Sequence, residues 1–135
     1  MRILFSILFI CSFFQSALGQ TKERDSILNV LDEYSSNYDA KNVIRISNEI
    51  EKYTTENSLN DSLFIANVLF YKAEAISYSA NLLDTRKAYE DAIQMCPNSQ
   101  DGTALKILAI SESTTIESIK GLNIIVYKKL KKASS

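Results

Sequence analysis

The chain of 135 residues has no histidine, no tryptophan, one proline, two cysteines and three glycines. Without histidine no Ser-His-Asp triad, Cys-His dyad or His-containing zinc site can be assembled. The two cysteines, Cys11 and Cys96, are too few for a thiolate metal cluster. Gly19, Gly102 and Gly121 stand too far apart for a G-x-G-x-x-G turn or a G-x-x-x-x-G-K-[ST] phosphate loop. Nucleotide chemistry of the common kinds, a resident metal and a cofactor are therefore not expected, and neither is an enzyme.

What is present begins with "MRILFSILFICSFFQSALGQ". Arg2 lies in a short basic region, an apolar run follows from Ile3 to Phe14, and the small residues Ala17 and Gly19 stand in an A-x-G arrangement. This is the pattern of a secretory signal peptide over residues 1–19, leaving a single domain over 20–135 in a secreted or periplasmic setting. The apolar run falls short of the roughly 20 residues a spanning helix needs. A retained membrane anchor is the alternative reading. Lipidation at Cys11 is disfavoured, because Ile10 precedes it where a small residue is expected. Cleavage after Gly19 leaves Cys96 alone, so no disulfide forms within the mature chain and its stability must come from packing.

Loss of Arg2 with the leader leaves 14 basic against 16 acidic residues. After Glu117 there is no acid, but Lys120, Lys128, Lys129, Lys131 and Lys132 all lie there. The mature chain before that basic end (120–135) carries 9 basic against 16 acidic residues. An acidic body and an exported location both argue against nucleic acid as a partner.

Apolar residues recur at helical spacing. Ile27, Leu28, Leu31, Tyr34 and Tyr38 form one stripe, and Val43, Ile46, Ile50 and Tyr53 a second, with Asn37, Asp39 and Asn42 around the turn between them. In "SLFIANVLFYKAEAISYSA", Phe64, Val68, Tyr71, Ala75 and Tyr78 share a face that Ile65, Leu69 and Ile76 widen, as in a central, most buried helix. Asn60 or Asp61 is placed to cap it. Asn81 and Asp84 open the next helix, through Ala88, Ala92 and Met95, and Pro97 stops it. A third pair is expected after a cap at Ser99 or Asp101. Its first helix holds Leu105 and Leu108; its second holds Ile116, Ile119, Asn123, Val126 and Leu130, with a terminal strand over "LNIIVY" as the alternative. The sequence thus predicts an all-α fold, a short α-solenoid of about three antiparallel helical hairpins with turns near Asp39, Ala80 and Thr115. The implied repeat of around 35 to 42 residues is in the helical-solenoid range.

Counting back from Pro97, Ala92 and Tyr89 fall on the small and aromatic positions of the second helix of a tetratricopeptide repeat, and Ala73 on the small position of its first. The segment from Leu69 to Pro97 therefore resembles that family. Lys72, Ile76 and Thr85 depart from its usual leucine, tyrosine and alanine. "QTKERDSILNVLDEY" also resembles the opening of secreted repeat modules in bacterial envelope signalling proteins. The resemblance implies a protein–protein interaction module whose partner is a protein or peptide.

In a stack of hairpins the first helices line one surface, and Asn67, Tyr71, Lys72 and Tyr78 are the candidate ligand-binding residues of the middle one, offering hydrogen bonds, aromatic faces and a cation. The competing role for the tyrosines is packing between helices. Lys128, Lys129, Lys131 and Lys132 are candidates for contact with an anionic membrane surface, which makes a membrane-surface accessory protein the alternative function, or for completing a helix dipole. Cys96, beside Met95 and Pro97, reads as a small buried hydrophobe sooner than a redox thiol.

Overall fold

The computed structural model describes residues 20–79 and 81–133; the signal-peptide expectation and the turn centre at Ala80 lie outside the described residues. The described residues form five helices and no strand: α1 (Gln20–Ser36), α2 (Ala40–Glu56), α3 (Ser62–Ser79), α4 (Leu82–Met95) and α5 (Gln100–Ala133). The fold is all-α.

Short polar side chains start each helix after α1. Asp39 accepts from the Asn42 N–H at 3.2 Å, Asp61 from the Phe64 N–H at 3.1 Å, Asn81 from the Asp84 N–H at 2.9 Å, and Ser99 from the Gly102 N–H at 3.1 Å. Each bond satisfies one of the N–H groups that a helix start leaves without an intrahelical acceptor. Of the alternatives open in the sequence, the structure selects Asp61 over Asn60 and Ser99 over Asp101.

Helices α1 and α2 end alike. Asp39 N–H returns to the Tyr34 carbonyl and Tyr38 N–H to Ser35; Leu59 N–H returns to Thr54 and Ser58 N–H to Thr55. These are paired Schellman closures, whose left-handed residue is usually glycine. Here Tyr38 (φ 56°) and Ser58 (φ 50°) take it instead, so two turns are made without drawing on the few glycines. Tyr38, expected on the buried stripe of α1, is 77% exposed because it occupies this turn position; its ring meets Tyr78 at a centroid distance of 5.7 Å.

Two apolar clusters share α3. Ile27, Leu31, Val43, Ile46 and Ile50 pack with Phe64, Val68 and Ala75; Tyr89, Ala92, Leu105 and Ala109 pack with Ala66, Leu69, Phe70 and Ala73. The central helix expected from the sequence is thus the wall between two half-cores. Ala73, Tyr89 and Ala92, which carried the repeat resemblance, are all fully buried, with Tyr89 edge-on to Phe70 at 6.1 Å. Thr85 is also fully buried and donates its hydroxyl to the Asn81 carbonyl at 2.9 Å, which satisfies that polar group inside the core. Arg24 pairs with Asp61 and lies over the Phe64 ring, 5.8 Å from its centroid, tying α1 to the start of α3.

The expected third hairpin is corrected to one continuous helix. The turn near Thr115 does not occur, and "LNIIVY" is helical. The Thr114, Thr115 and Ser118 hydroxyls, which look like turn chemistry, donate instead to the carbonyls of Ile110, Ser111 and Thr114 at 2.8–2.9 Å. Back-bonding of this kind lets a helix run through Ser and Thr. Leu105 and Ala109 are buried, but Leu108 and Ile119 are exposed. Arg86 of α4 grips Glu117 of α5 through two bonds, at 2.8 and 3.0 Å, and Lys120 donates to Thr85 at 3.1 Å. Helix α1 touches α3 and α3 touches α5, whereas α2 and α4 do not meet among the described residues.

Truncating Phe64 or Leu69, 5% and 9% exposed, to alanine should remove about 2–5 kcal/mol of stability in urea unfolding, by losing apolar burial and leaving a cavity. The two described glycines should respond with opposite signs. A Cβ at Gly102 would lie 2.1 Å from the Pro97 carbonyl oxygen, so Gly102→Ala should cost about 1–3 kcal/mol. A Cβ at Gly121 meets nothing within 4 Å, so Gly121→Ala should gain about 0.5–1 kcal/mol in the same assay.

Candidate functional site

Successive residues of an α-helix turn by about 100°. On α3 that brings Asn67, Tyr71, Glu74 and Tyr78 into one strip and sets Lys72 about a quarter-turn or more away from each. The contacts follow this geometry. Tyr71 Oη donates to Asp32 Oδ1 of α1 at 3.0 Å, and Ser35 Oγ of α1 donates to Glu74 Oε2 at 3.2 Å. Lys72 instead pairs with Glu51 of α2 on the other side of α3. There it lines a cavity of about 200 Å³ with Asp84, Lys87 and Asp91 of α4.

The four residues expected to act together are therefore divided. Tyr71 and Tyr78 lie on the face shared with α1, and Lys72 leaves it. Tyr71 is half-buried with its hydroxyl engaged, so it serves packing between helices as well as the surface. Tyr78 is 48% exposed. Asn67 turns its amide back on its own helix, donating to the Leu63 carbonyl at 2.8 Å. Among the tail lysines, Lys129 and Lys131 are exposed near the end of α5, while the side chains of Lys128 and Lys132 lie outside the described residues. Cys96 is half-buried, its Sγ donates to the Ala92 carbonyl at 3.3 Å, and burial pushes its thiol pKa up, as for a packing cysteine.

Sequence reasoning missed the carboxylates of this face. Asp32, Glu74 and Glu112 come one each from α1, α3 and α5. Burial raises the Glu74 pKa; the Ser35 hydrogen bond opposes that shift, and the charges of Glu112 and Asp32 add to it. The Tyr71 phenol is pushed up to about 12, first by burial, then by the hydrogen bond to Asp32 and the charges of Asp32 and Glu74. Tyr89 of α4 is fully buried, its hydroxyl sealed from solvent. Ser77 is near enough to act on its ionisation, but the Ser77 hydroxyl donates to the Glu74 carbonyl at 2.6 Å. Burial raises the Tyr89 pKa most, followed by the charges of Glu74 and Glu112, while Ser77 opposes the shift. The available signal was spacing: Glu74 lies three residues after Tyr71 and four before Tyr78.

On the side away from this face is a cleft of about 560 Å³, between the C-terminal part of α2, the loop after it, α3 and Met95. Ile65, Leu69 and Leu59 give it apolar walls; Glu51, Thr55 and Asn60 supply polar ones. Among the described residues no helix is long and apolar enough to cross a membrane, and no group of three or more His, Cys, Asp or Glu is arranged to hold a metal ion. No family model, curated protein or solved structure matches the chain.

Because the Glu74 pKa is raised on folding, the folded state holds that proton more tightly than the unfolded chain. The stability linked to it is complete below the ordinary carboxyl value of 4.5 and is lost as pH rises through the folded pKa. Glu74→Gln, which cannot ionise, should raise the melting temperature at about pH 8 and leave it nearly unchanged at about pH 4. A melting temperature lowered equally at both would show that the carboxylate itself holds the helices together.

Proposed function

We propose that the chain is an extracytoplasmic, non-catalytic adaptor of tetratricopeptide-like hairpins that binds a protein or peptide across the face formed by α1, α3 and α5. The observation that carries this reading is the contact pattern. Alternate helices touch in sequence, α1 to α3 to α5, while α2 and α4 stay apart. In helical-repeat proteins the same alternation gives a continuous binding surface from the first helices of successive hairpins. Here that surface offers Tyr78, the Tyr71–Asp32 pair and Glu74, a mixture of aromatic area and hydrogen-bonding groups suited to an extended peptide or a partner helix.

A photocrosslinking side chain at position 78, with one at position 52 on the exposed side of α2 as control, tests the surface in the native envelope. Adducts to a discrete protein from position 78 and none from position 52 are expected. Equal labelling from both would remove the assignment.

A second reading follows from the exposure of Lys129 and Lys131 near the end of α5: a membrane-surface accessory protein held by its basic end. Under it, co-sedimentation with anionic vesicles weakens when Lys128, Lys129, Lys131 and Lys132 are replaced by glutamine, and position 78 labels no protein.

A further inference from the structure

We infer that α5 pairs with α5 of a second copy of the chain, antiparallel and about a two-fold axis between Ile119 and Leu122, so that Glu112 of each copy meets the partner's Lys129. The inference goes beyond the peptide-binding reading and does not depend on it.

Helix α5 packs on α3 and α4 through Leu105, Ala109 and Ile116. It is fastened to α4 from one flank, where Glu117 meets Arg86 and Lys120 meets Thr85. At about 100° per residue, Leu108, Thr115, Ile119 and Leu122 fall on the other flank, roughly a quarter-turn from the packed stripe. There Leu108, Ile119 and Leu122 are 47%, 56% and 61% exposed, and Thr115 is exposed with them. Apolar side chains aligned along one flank and left in water mark a surface that a partner covers. The spacing specifies a helical partner. From Leu108 the positions run 112, 115, 119, 122 and 129, steps of four and three residues and then a full seven, which is the seam of a two-helix coiled coil. A face meant for lipid would not carry Glu112 and Thr115 in line with its leucines and isoleucine.

Charge selects the occupant and its direction. Residues 20–119 hold 16 acidic and 9 basic side chains, whereas 120–135 hold five lysines and no acid. Parallel pairing would set one basic end on the other and one acidic body beside the other. Antiparallel pairing lays each basic end along the acidic body of the other copy, so the charges attract at both ends of the seam. The two-fold register that sets Ile119 opposite the partner's Leu122 also sets Glu112 opposite the partner's Lys129, and symmetry forms each pair twice. Glu112 is partly exposed and Lys129 exposed, so both are within a partner's reach. In this register the two helices overlap from 108 to 133, about 39 Å at 1.5 Å per residue and more than three heptads.

Sedimentation velocity of the purified protein, from about 1 to about 100 μM, tests the pairing. A concentration-dependent shift from monomer to dimer is expected, and Ile119→Asp with Leu122→Asp should leave only monomer of unchanged helicity. Glu112→Lys alone should weaken the dimer about ten-fold or more, because like charges then meet twice, and adding Lys129→Glu should restore it. Direction is read by cysteines placed on a Cys96→Ser background. Glu112→Cys with Lys129→Cys should give a disulfide-linked dimer under mild oxidation, and Glu112→Cys alone should not. Within one helix those positions are about 26 Å apart, too far to bridge inside a chain. A monomer throughout the range would overturn the pairing, as would a dimer untouched by Ile119→Asp with Leu122→Asp. Equal cross-linking by Glu112→Cys alone would overturn the antiparallel direction, and failure of Lys129→Glu to rescue Glu112→Lys would overturn the register. A monomer held on anionic vesicles, and released by Ile119→Asp with Leu122→Asp, would assign the flank to a membrane surface and overturn the second copy.

Discussion

Helix α3 must bury two sides at once, and the rest of the fold is arranged around that requirement. Phe64, Val68 and Ala75 close one half-core, while Ala66, Leu69, Phe70 and Ala73 close the other. The alanines let neighbouring helices come close, and the larger side chains fill the space between them. With both sides taken, α3 reaches the surface along two strips, one beside α1 at Tyr71, Glu74 and Tyr78 and one towards Glu51 at Ile65, Lys72 and Ile76. Polar chemistry on α3 is therefore confined by packing to those two strips, and the candidate site lies where the core left room.

Much of this was legible in the sequence. Periodicity in Ile27, Leu31, Val43, Ile46 and Ile50 located the first two helices and their buried sides, and capping residues located the starts of the next three. Pro97 marked the end of α4. The reading failed at Thr115 for a definite reason: a hydroxyl that bonds back to its own helix and one that closes a turn look the same in a sequence, and only the carbonyl it reaches separates them. It failed at Tyr38 because a left-handed position is normally signalled by glycine, and here a tyrosine held against Tyr78 takes it.

The site was less legible than the fold. Tyr71 and Tyr78 were grouped because aromatic residues at helical spacing are conspicuous, and both lie along the strip beside α1. Lys72 was grouped with them by its neighbourhood in the chain, although one residue along a helix is a turn of about 100° in space. Asp32, Glu74 and Glu112 lie about forty residues apart, a separation at which no local pattern links them. Their association depends on the register in which α1, α3 and α5 pack, which is fixed by the apolar residues behind them. Two partners that a local reading treats as surface charge, Asp32 and Glu51, turn out to be the anchors of Tyr71 and Lys72.

The length of α5 has a mechanical and electrical side. The helix is fastened to α4 through Glu117 and Lys120, then continues for thirteen residues, about 20 Å at 1.5 Å per residue. Its lysines follow on a continuous helix and not on a tether, so their placement along the molecule is set by backbone geometry. The molecule accordingly has a built-in dipole along that helix. A charged surface that attracts the lysine end exerts a torque on the whole body, turning the α1–α3–α5 face to one fixed orientation instead of allowing it to swivel.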